Sequence, residues 1–441
     1  MQMFIGGKRV DASDGKVSQV VNPATGQVID TVPEATLEDL DRAIALAVEG
    51  QKEWNAVPLH EREAIIEKYC QLVTAPDMVE KIAKVMCEEG GKPMEQCRTE
   101  VFANAAIFRI YNAAAYTFYG KSLPYNGESR SQGDVAFTVH EPLGVFANIV
   151  PFNYPFAGVP ANAMCCVTGR GSVIGAAAAA DPRVAAVSFT GSTSVGISLA
   201  ETCAKSLRPV SLELGGNDPL IIFDDCDYEL ALNETIGGRV GNAGQTCCAS
   251  KRFLVQRGIY DKFVADLSQR LGQLKVGDPA DPTVDMGPCV RESSAKDVES
   301  QIQKTVEQGG KIVCGGKRNG AFVEPTVMEV TPEMDIARDM EVFGPVWPVI
   351  PFDTLEEALE IANNTIFGLS SGVITSDMKT AMKVANGIQA GACIINGTGN
   401  YRLAHQPFGG YKYSGVGREG AVSTLEEMTQ QKMISFKGVL N

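Results

Sequence analysis

Val184-Ala185-Ala186-Val187-Ser188-Phe189-Thr190-Gly191-Ser192-Thr193-Ser194-Val195-Gly196 is an apolar run of strand length that ends in a glycine turn and opens into helix-forming sequence. A strand passing straight into a helix is the unit of a parallel sheet. The glycine lets backbone N–H groups approach an anion, and the N-terminus of the following helix favours negative charge. The turn lacks the GxGxxG form, and by itself it reads equally well as a plain strand-to-helix connection. Upstream, Val145 to Val150 reads as a buried strand of the parallel type and ends in Pro151-Phe152-Asn153-Tyr154-Pro155. Downstream, Val210 to Leu214 and Leu220 to Phe223 follow as strands. Strands alternating with helices give an α/β fold with a doubly wound parallel sheet.

Working outward, Asn22-Pro23-Ala24-Thr25-Gly26 reads as a hairpin turn. Apolar residues recur at helical spacing from Leu37 to about Arg109. Leu123 to Gly144 reads as an extended hairpin of the kind that projects from a domain and serves oligomer contacts. After Arg252 to Val255, a second α/β unit is expected. It holds helices from Tyr260 to Leu274, Ser293 to Gln308 and Leu355 to Ala362, and strands from Lys311 to Cys314 and Gly391 to Asn396. No internal repeat interrupts this order.

Composition excludes several classes of function. The chain has 441 residues and a net charge of -14, with 39 basic against 53 acidic side chains and no basic block. Nucleic acid and anionic membrane are therefore not expected partners. No apolar run is long enough to span a bilayer, and the start, Met1-Gln2-Met3-Phe4-Ile5-Gly6-Gly7-Lys8, lacks a secretory apolar segment. A reduced, cytoplasmic protein is expected. Its twelve cysteines would then be mostly small buried hydrophobes. The three histidines, His60, His140 and His405, lie far apart, so no metal site is expected.

The chemistry centres on Asn242-Ala243-Gly244-Gln245-Thr246-Cys247-Cys248. Glu213 stands before Gly215-Gly216 at a strand end, where sites form in α/β sheets, and Glu341 opens Glu341-Val342-Phe343-Gly344-Pro345. A thiol with two carboxylates in glycine-marked loops implies covalent chemistry on a carbonyl, with one carboxylate moving protons. The Asn153 amide, at the end of its strand, can donate to a developing oxyanion, or can simply form an Asx turn. The residues alone do not decide between Cys247 and Cys248 as nucleophile, and either can be a structural thiol.

Together these runs closely resemble the aldehyde dehydrogenase superfamily. Pro407-Phe408-Gly409-Gly410-Tyr411-Lys412-Tyr413-Ser414-Gly415 and Gly417-Arg418-Glu419 complete the pattern, in order, over nearly the whole chain. The resemblance implies oxidation of an aldehyde to a carboxylate with NAD or NADP, through a thiohemiacetal and a thioester. Cys247, directly after the Gly-Gln-Thr run, would be the nucleophile. Asn153 and the Cys247 backbone N–H would hold the oxyanion, and Glu213 would activate water for thioester hydrolysis. Glu341 would bind the nicotinamide ribose with Phe343 nearby. Gly191, Ser192 and Val195 would lie along the pyrophosphate, and Pro151, Phe152, Leu214 and Gly215 would complete the cofactor site. The implied organisation is a cofactor-binding domain at 1–122 plus 144–213, a catalytic domain at 214–415, and a small β oligomerisation element at 123–143 plus 416–441. A homodimer or homotetramer is expected.

The chain departs from the family between Asn153 and Glu213. Relatives look longer there by roughly one strand–helix unit, on the order of 35–40 residues. The missing segment carries a Lys-Pro-Ser run whose lysine contacts the adenosine ribose, and no residue here inherits that role. The cofactor domain is thus shortened near 159–167, and loss of a strand exposes sheet edges. The alternative function is a cofactor-impaired subunit that binds aldehyde or forms oligomers and retains at most esterase activity. Arg402, in the loop before Pro407, is a candidate partner for a substrate carboxylate, which would make the substrate a semialdehyde or a hydroxyaldehyde; it reads equally as a solvated surface arginine.

Overall fold

A computed structural model of the chain describes residues 1–124, 127–152 and 164–440. Two parallel-type sheets carry the architecture. The larger has seven strands in the order Lys311–Cys314, Thr326–Glu329, Val346–Phe352, Arg252–Gln256, Pro219–Ile222, Gly372–Ile374 and Ile394–Ile395. Only the outermost pair, Lys311–Cys314 with Thr326–Glu329, is antiparallel. Because side chains alternate across a strand, Leu220 and Ile222 enter one core while Ile221 enters the other. Helices Tyr228–Val240 and Tyr260–Leu271 cover the first face, and Glu292–Glu307 and Leu355–Asn363 cover the second. A sheet covered on both faces needs the near-continuous apolar strands that the sequence supplies.

The smaller sheet has four strands in the order Gly415–Val416, Val210–Glu213, Val184–Thr190 and Val145–Ile149. Its core is built from Val184, Val187, Phe189 and Leu212 against Leu199 of helix Thr193–Ala204 and Leu40 and Ile44 of helix Leu37–Ala56. Thr36 caps the latter helix, taking the Asp39 N–H while the Asp39 carboxylate takes the Thr36 N–H. Three helices, Leu59–Val73, Pro76–Gly90 and Met94–Thr117, complete the helical stretch expected from Leu37 onward.

Three readings need correction. Val145–Ile149 is not a buried strand: its residues are half-buried or exposed, and among the described residues only Val184–Thr190 pairs with it. Among the described residues no strand lies on its other side, and Cys166, just before the next glycine turn, bridges Phe4 in the strand Met3–Ile5. The Pro219–Ile222 strand lies at the heart of the larger sheet rather than in the one built on Val184–Thr190. The strand expected from Gly391 to Asn396 shrinks to Ile394–Ile395, because its partner strand, Gly372–Ile374, itself begins opposite Ile394.

A third sheet joins Thr429–Phe436, Val135–Pro142 and Ser122–Leu123, all antiparallel. It bears Met433 and Phe436 exposed to solvent, followed by exposed Val439 and Leu440. Among the described residues no helix is long and apolar enough to cross a membrane.

Candidate active site

The loop that carries the thiols follows helix Tyr228–Val240 and is left-handed at three successive residues, Asn242, Ala243 and Gly244, with φ of 51°, 53° and 75°. An alanine in that conformation costs about 1–2 kcal/mol, so the surroundings must hold it. Gln245, fully buried, donates from Nε2 to the Asn242 carbonyl at 2.9 Å and accepts from the Val290 N–H at 2.8 Å. Gly244 has no substitute, since a Cβ there would lie 2.4 Å from the Gly344 carbonyl oxygen. The thiol loop is therefore locked against the Glu341-to-Pro345 turn. Arg239 clamps the same junction, donating to the Ser250 and Val342 carbonyls. Burial pulls its guanidinium down to about 9.

Cys247 is half-buried and Cys248 buried; both pack with Leu369 and Phe408. Cys248 also points its Sγ at Asn400 Oδ1, 3.6 Å away. The two thiols share one hydrogen bond, which pushes Cys247 well above and Cys248 below the ordinary thiol value. Such a pair titrates as a unit, because a thiolate on one suppresses ionisation of the other. Of the two residues, Cys247 is the more exposed.

Glu213 ends strand Val210–Glu213 and is buried. Neither carboxylate oxygen accepts a hydrogen bond among the described residues. Burial pushes its pKa up to about 9, reinforced by the negative charges of Glu419 and Cys247 and opposed by Arg402 and Arg418. Glu341 lies across from it on the other loop. Its Oε1 accepts from the Gly216 N–H at 3.1 Å and meets Lys251 Nζ at 3.3 Å. A Cβ on Gly215 would fall 2.4 Å from Oε2, so Gly215 is the residue that lets the carboxylate in.

The remaining sequence-chosen residues divide into two groups. Phe152 and Phe343 meet edge to face at 6.1 Å, beside Glu341. Pro151 adjoins Phe152, and Leu214 is buried with its N–H bonded to the Ser414 carbonyl. Gly191 and Ser192 form the turn into helix Thr193–Ala204, whose first turn exposes Val195. A helix N-terminus of this length, a carboxylate and two aromatic edges fit a dinucleotide with pyrophosphate and ribose groups. Asn153 lies outside the described residues. Among those residues, no group of His, Cys, Asp and Glu has the composition of a metal site.

Two residues escaped the sequence reading. Lys251 is almost fully buried and reaches both Glu341 and the thiol loop. Asp218 is buried and pushed up to about 8 by burial, against the pull of Lys251. The available signal was Lys251-Arg252 standing directly before the apolar run Phe253-Leu254-Val255, two cations entering a core strand.

Comparison with known proteins identifies relatives of the whole chain. The family model described as the aldehyde dehydrogenase family matches residues 10–157 and 156–434. A betaine aldehyde dehydrogenase of Cereibacter sphaeroides is 36% identical over 474 residues, covering 98% of this chain and 96% of its own. That aligned length exceeds the 441 residues here, so the relative carries residues this chain lacks. A mitochondrial succinate-semialdehyde dehydrogenase of Arabidopsis thaliana is 34% identical, covering 98% of this chain and 88% of its own. Among solved structures, an NADP-dependent enzyme of E. coli superposes with a TM-score of 0.94 at 31% identity, covering 99% of this chain and 98% of its own. A betaine aldehyde dehydrogenase of Staphylococcus aureus in complex with NAD+ superposes at 0.93 with 30% identity, covering 99% and 94%.

Proposed function

Because the chain belongs to the aldehyde dehydrogenase family, and so oxidises an aldehyde to a carboxylate with NAD or NADP, we propose that Cys247 is its nucleophile, Glu213 its general base, and an acidic aldehyde its substrate. The cofactor, when bound, accepts the hydride that the aldehyde carbon gives up. Glu341 and Phe343 would hold its nicotinamide ribose, Gly191, Ser192 and Val195 its pyrophosphate, and Pro151, Phe152, Leu214 and Gly215 its nicotinamide end. Cys247 attacks the carbonyl, and its own N–H with the Asn153 amide steadies the oxyanion. Glu213 then takes a proton from the water that cleaves the thioester. A carboxyl raised to about 9 must lose its proton first, so deacylation should quicken as pH climbs toward that value.

The substrate reading rests on one observation. The Arg402 guanidinium stacks 4.1 Å from the centre of the Phe408 ring, and Phe408 packs on both thiols. Arg402 is ion-paired to Glu419 at 2.5 Å and remains partly exposed, so a substrate carboxylate has access to it. The succinate-semialdehyde relative is named for an aldehyde of this class. Arg402→Ala should raise KM for succinic semialdehyde by about 10- to 100-fold, as expected for a lost charge-assisted hydrogen bond. KM for propionaldehyde should hardly move. An unchanged KM for the acidic aldehyde would refute the assignment.

The reading extends to organisation. The units would divide at 1–122 plus 144–213, 214–415, and 123–143 plus 416–441. The last, with exposed Met433 and Phe436, would join copies into a homodimer or homotetramer in the cytoplasm.

A further inference from the structure

Lys251 is a buried cation without a role in the chemistry above. Its side chain is 1% exposed, which is rare for lysine unless its charge is compensated. Its Nζ donates to the Thr246 carbonyl at 3.1 Å and to the Cys247 carbonyl, and stands 3.3 Å from Glu341 Oε1. One ammonium thus bridges the peptides around the nucleophile and the carboxylate assigned to the cofactor ribose.

We propose that Lys251 is a positioning residue: it aims the Cys247 N–H at the oxyanion and transmits cofactor contact at Glu341 to the Cys247 thiol. This rests on the assignment of Cys247 and Glu341 given above. The aiming follows from peptide geometry. The Thr246 carbonyl and the Cys247 N–H belong to one planar trans unit, so they point in opposite directions. With the carbonyl held by the ammonium, the N–H is turned away from Lys251 and cannot rotate independently. The transmission is electrostatic. While Glu341 pairs with Lys251, its carboxylate offsets the ammonium charge. When ribose hydroxyls draw that carboxylate off, the full positive charge faces the thiol and favours the thiolate.

Other charges act on the thiols as well, and among the described residues only Lys251 contacts both the Cys247 carbonyl and the Glu341 carboxylate; Arg239 joins the same loops through the Ser250 and Val342 carbonyls. Cys248 adjoins Cys247 in the chain; Asp218 approaches from the end of the Gly215–Asp218 segment, Glu213 from strand Val210–Glu213, and Arg402 from the loop before Pro407. These stay in place when Glu341 is engaged, so they set the baseline of thiol reactivity rather than its change.

The test follows iodoacetamide alkylation against pH, with the adduct located by mass spectrometry, and measures NAD and NADP binding by calorimetry. In the unsubstituted enzyme the bound cofactor should lower the alkylation midpoint by about 1 pH unit. Glu341→Gln should begin at the lowered midpoint without cofactor. Lys251→Met should show a raised midpoint that cofactor no longer shifts, and a loss in kcat larger than any change in KM. A Lys251→Met enzyme whose midpoint still falls with cofactor overturns the proposal, as does a Glu341→Gln midpoint equal to the unsubstituted one. Should Lys251→Met fail to fold, Lys251→Gln takes its place with the same expected outcomes, because Glu341 also acts on the thiol directly. An adduct on Cys248, or folded protein that binds neither cofactor, contradicts the site assignment instead.

Discussion

The two main sheets are built from similar apolar strands, yet they are enclosed to different degrees. Val346–Phe352 in the seven-stranded sheet is buried at six of its seven residues, with strands on both sides and a core on each face. Val145–Ile149 in the four-stranded sheet has no buried residue, and its one strand partner among the described residues is Val184–Thr190. Cys247, Lys251 and Glu341 sit on loops braced by the first sheet, whereas Glu213 is carried on the third strand from that open edge. Among the described residues, the strand before Pro151 thus has one uncovered edge, whereas the strands that brace Cys247, Lys251 and Glu341 are enclosed.

The strongest separation of the two halves comes from the nucleophile. Cys247→Ala should reduce both aldehyde oxidation and p-nitrophenyl ester hydrolysis to background, while calorimetric cofactor affinity stays near that of the unsubstituted protein. Ester hydrolysis that persists would transfer the role to Cys248. Core substitutions sharpen the contrast further. Ile350→Ala, in a fully enclosed strand, should cost about 2–5 kcal/mol. Ile149→Ala, in the half-buried strand, should cost roughly 1 kcal/mol or less. Equal losses in chemical denaturation would mean that the edge strand is as well packed as the central one.

Why the sequence revealed one half better than the other is a matter of range. Cys247, Glu213 and Glu341 are set by short runs in which glycine and a reactive side chain must be neighbours, and the structure brings all three into one site. Strand Lys311–Cys314 has the bounds expected for it, and helix Leu355–Asn363 differs by one residue, because apolar patterning is local. Val145 to Val150 reads as buried since its composition is that of a covered parallel strand; exposure depends on a neighbour elsewhere in the chain, which composition does not record. Lys251 was missed for a similar reason. Its meaning comes from the Thr246 carbonyl and from Glu341, ninety residues away in sequence, and a cation before a strand ordinarily marks a solvated loop.

A finer test lies at the junction of the halves, in the charge state of Glu213. Its folded-state pKa of about 9 stands far above the unfolded carboxylate value of about 4.3. The native state therefore keeps a proton that the unfolded chain releases. Stability from this group is fully present below the unfolded value and declines as pH rises, until the folded carboxyl also ionises near 9. Glu213→Gln stays neutral throughout and lacks that decline. The melting temperature of the variant, relative to the unsubstituted enzyme, should climb between pH 5 and pH 9 by on the order of a few °C, and then level off. A difference that is flat across this range would mean that water or substrate reaches the carboxylate and that its pocket is as open as the edge of the smaller sheet. A difference that climbs would mean that the catalytic side remains dry, although the strand two places away in the same sheet is not.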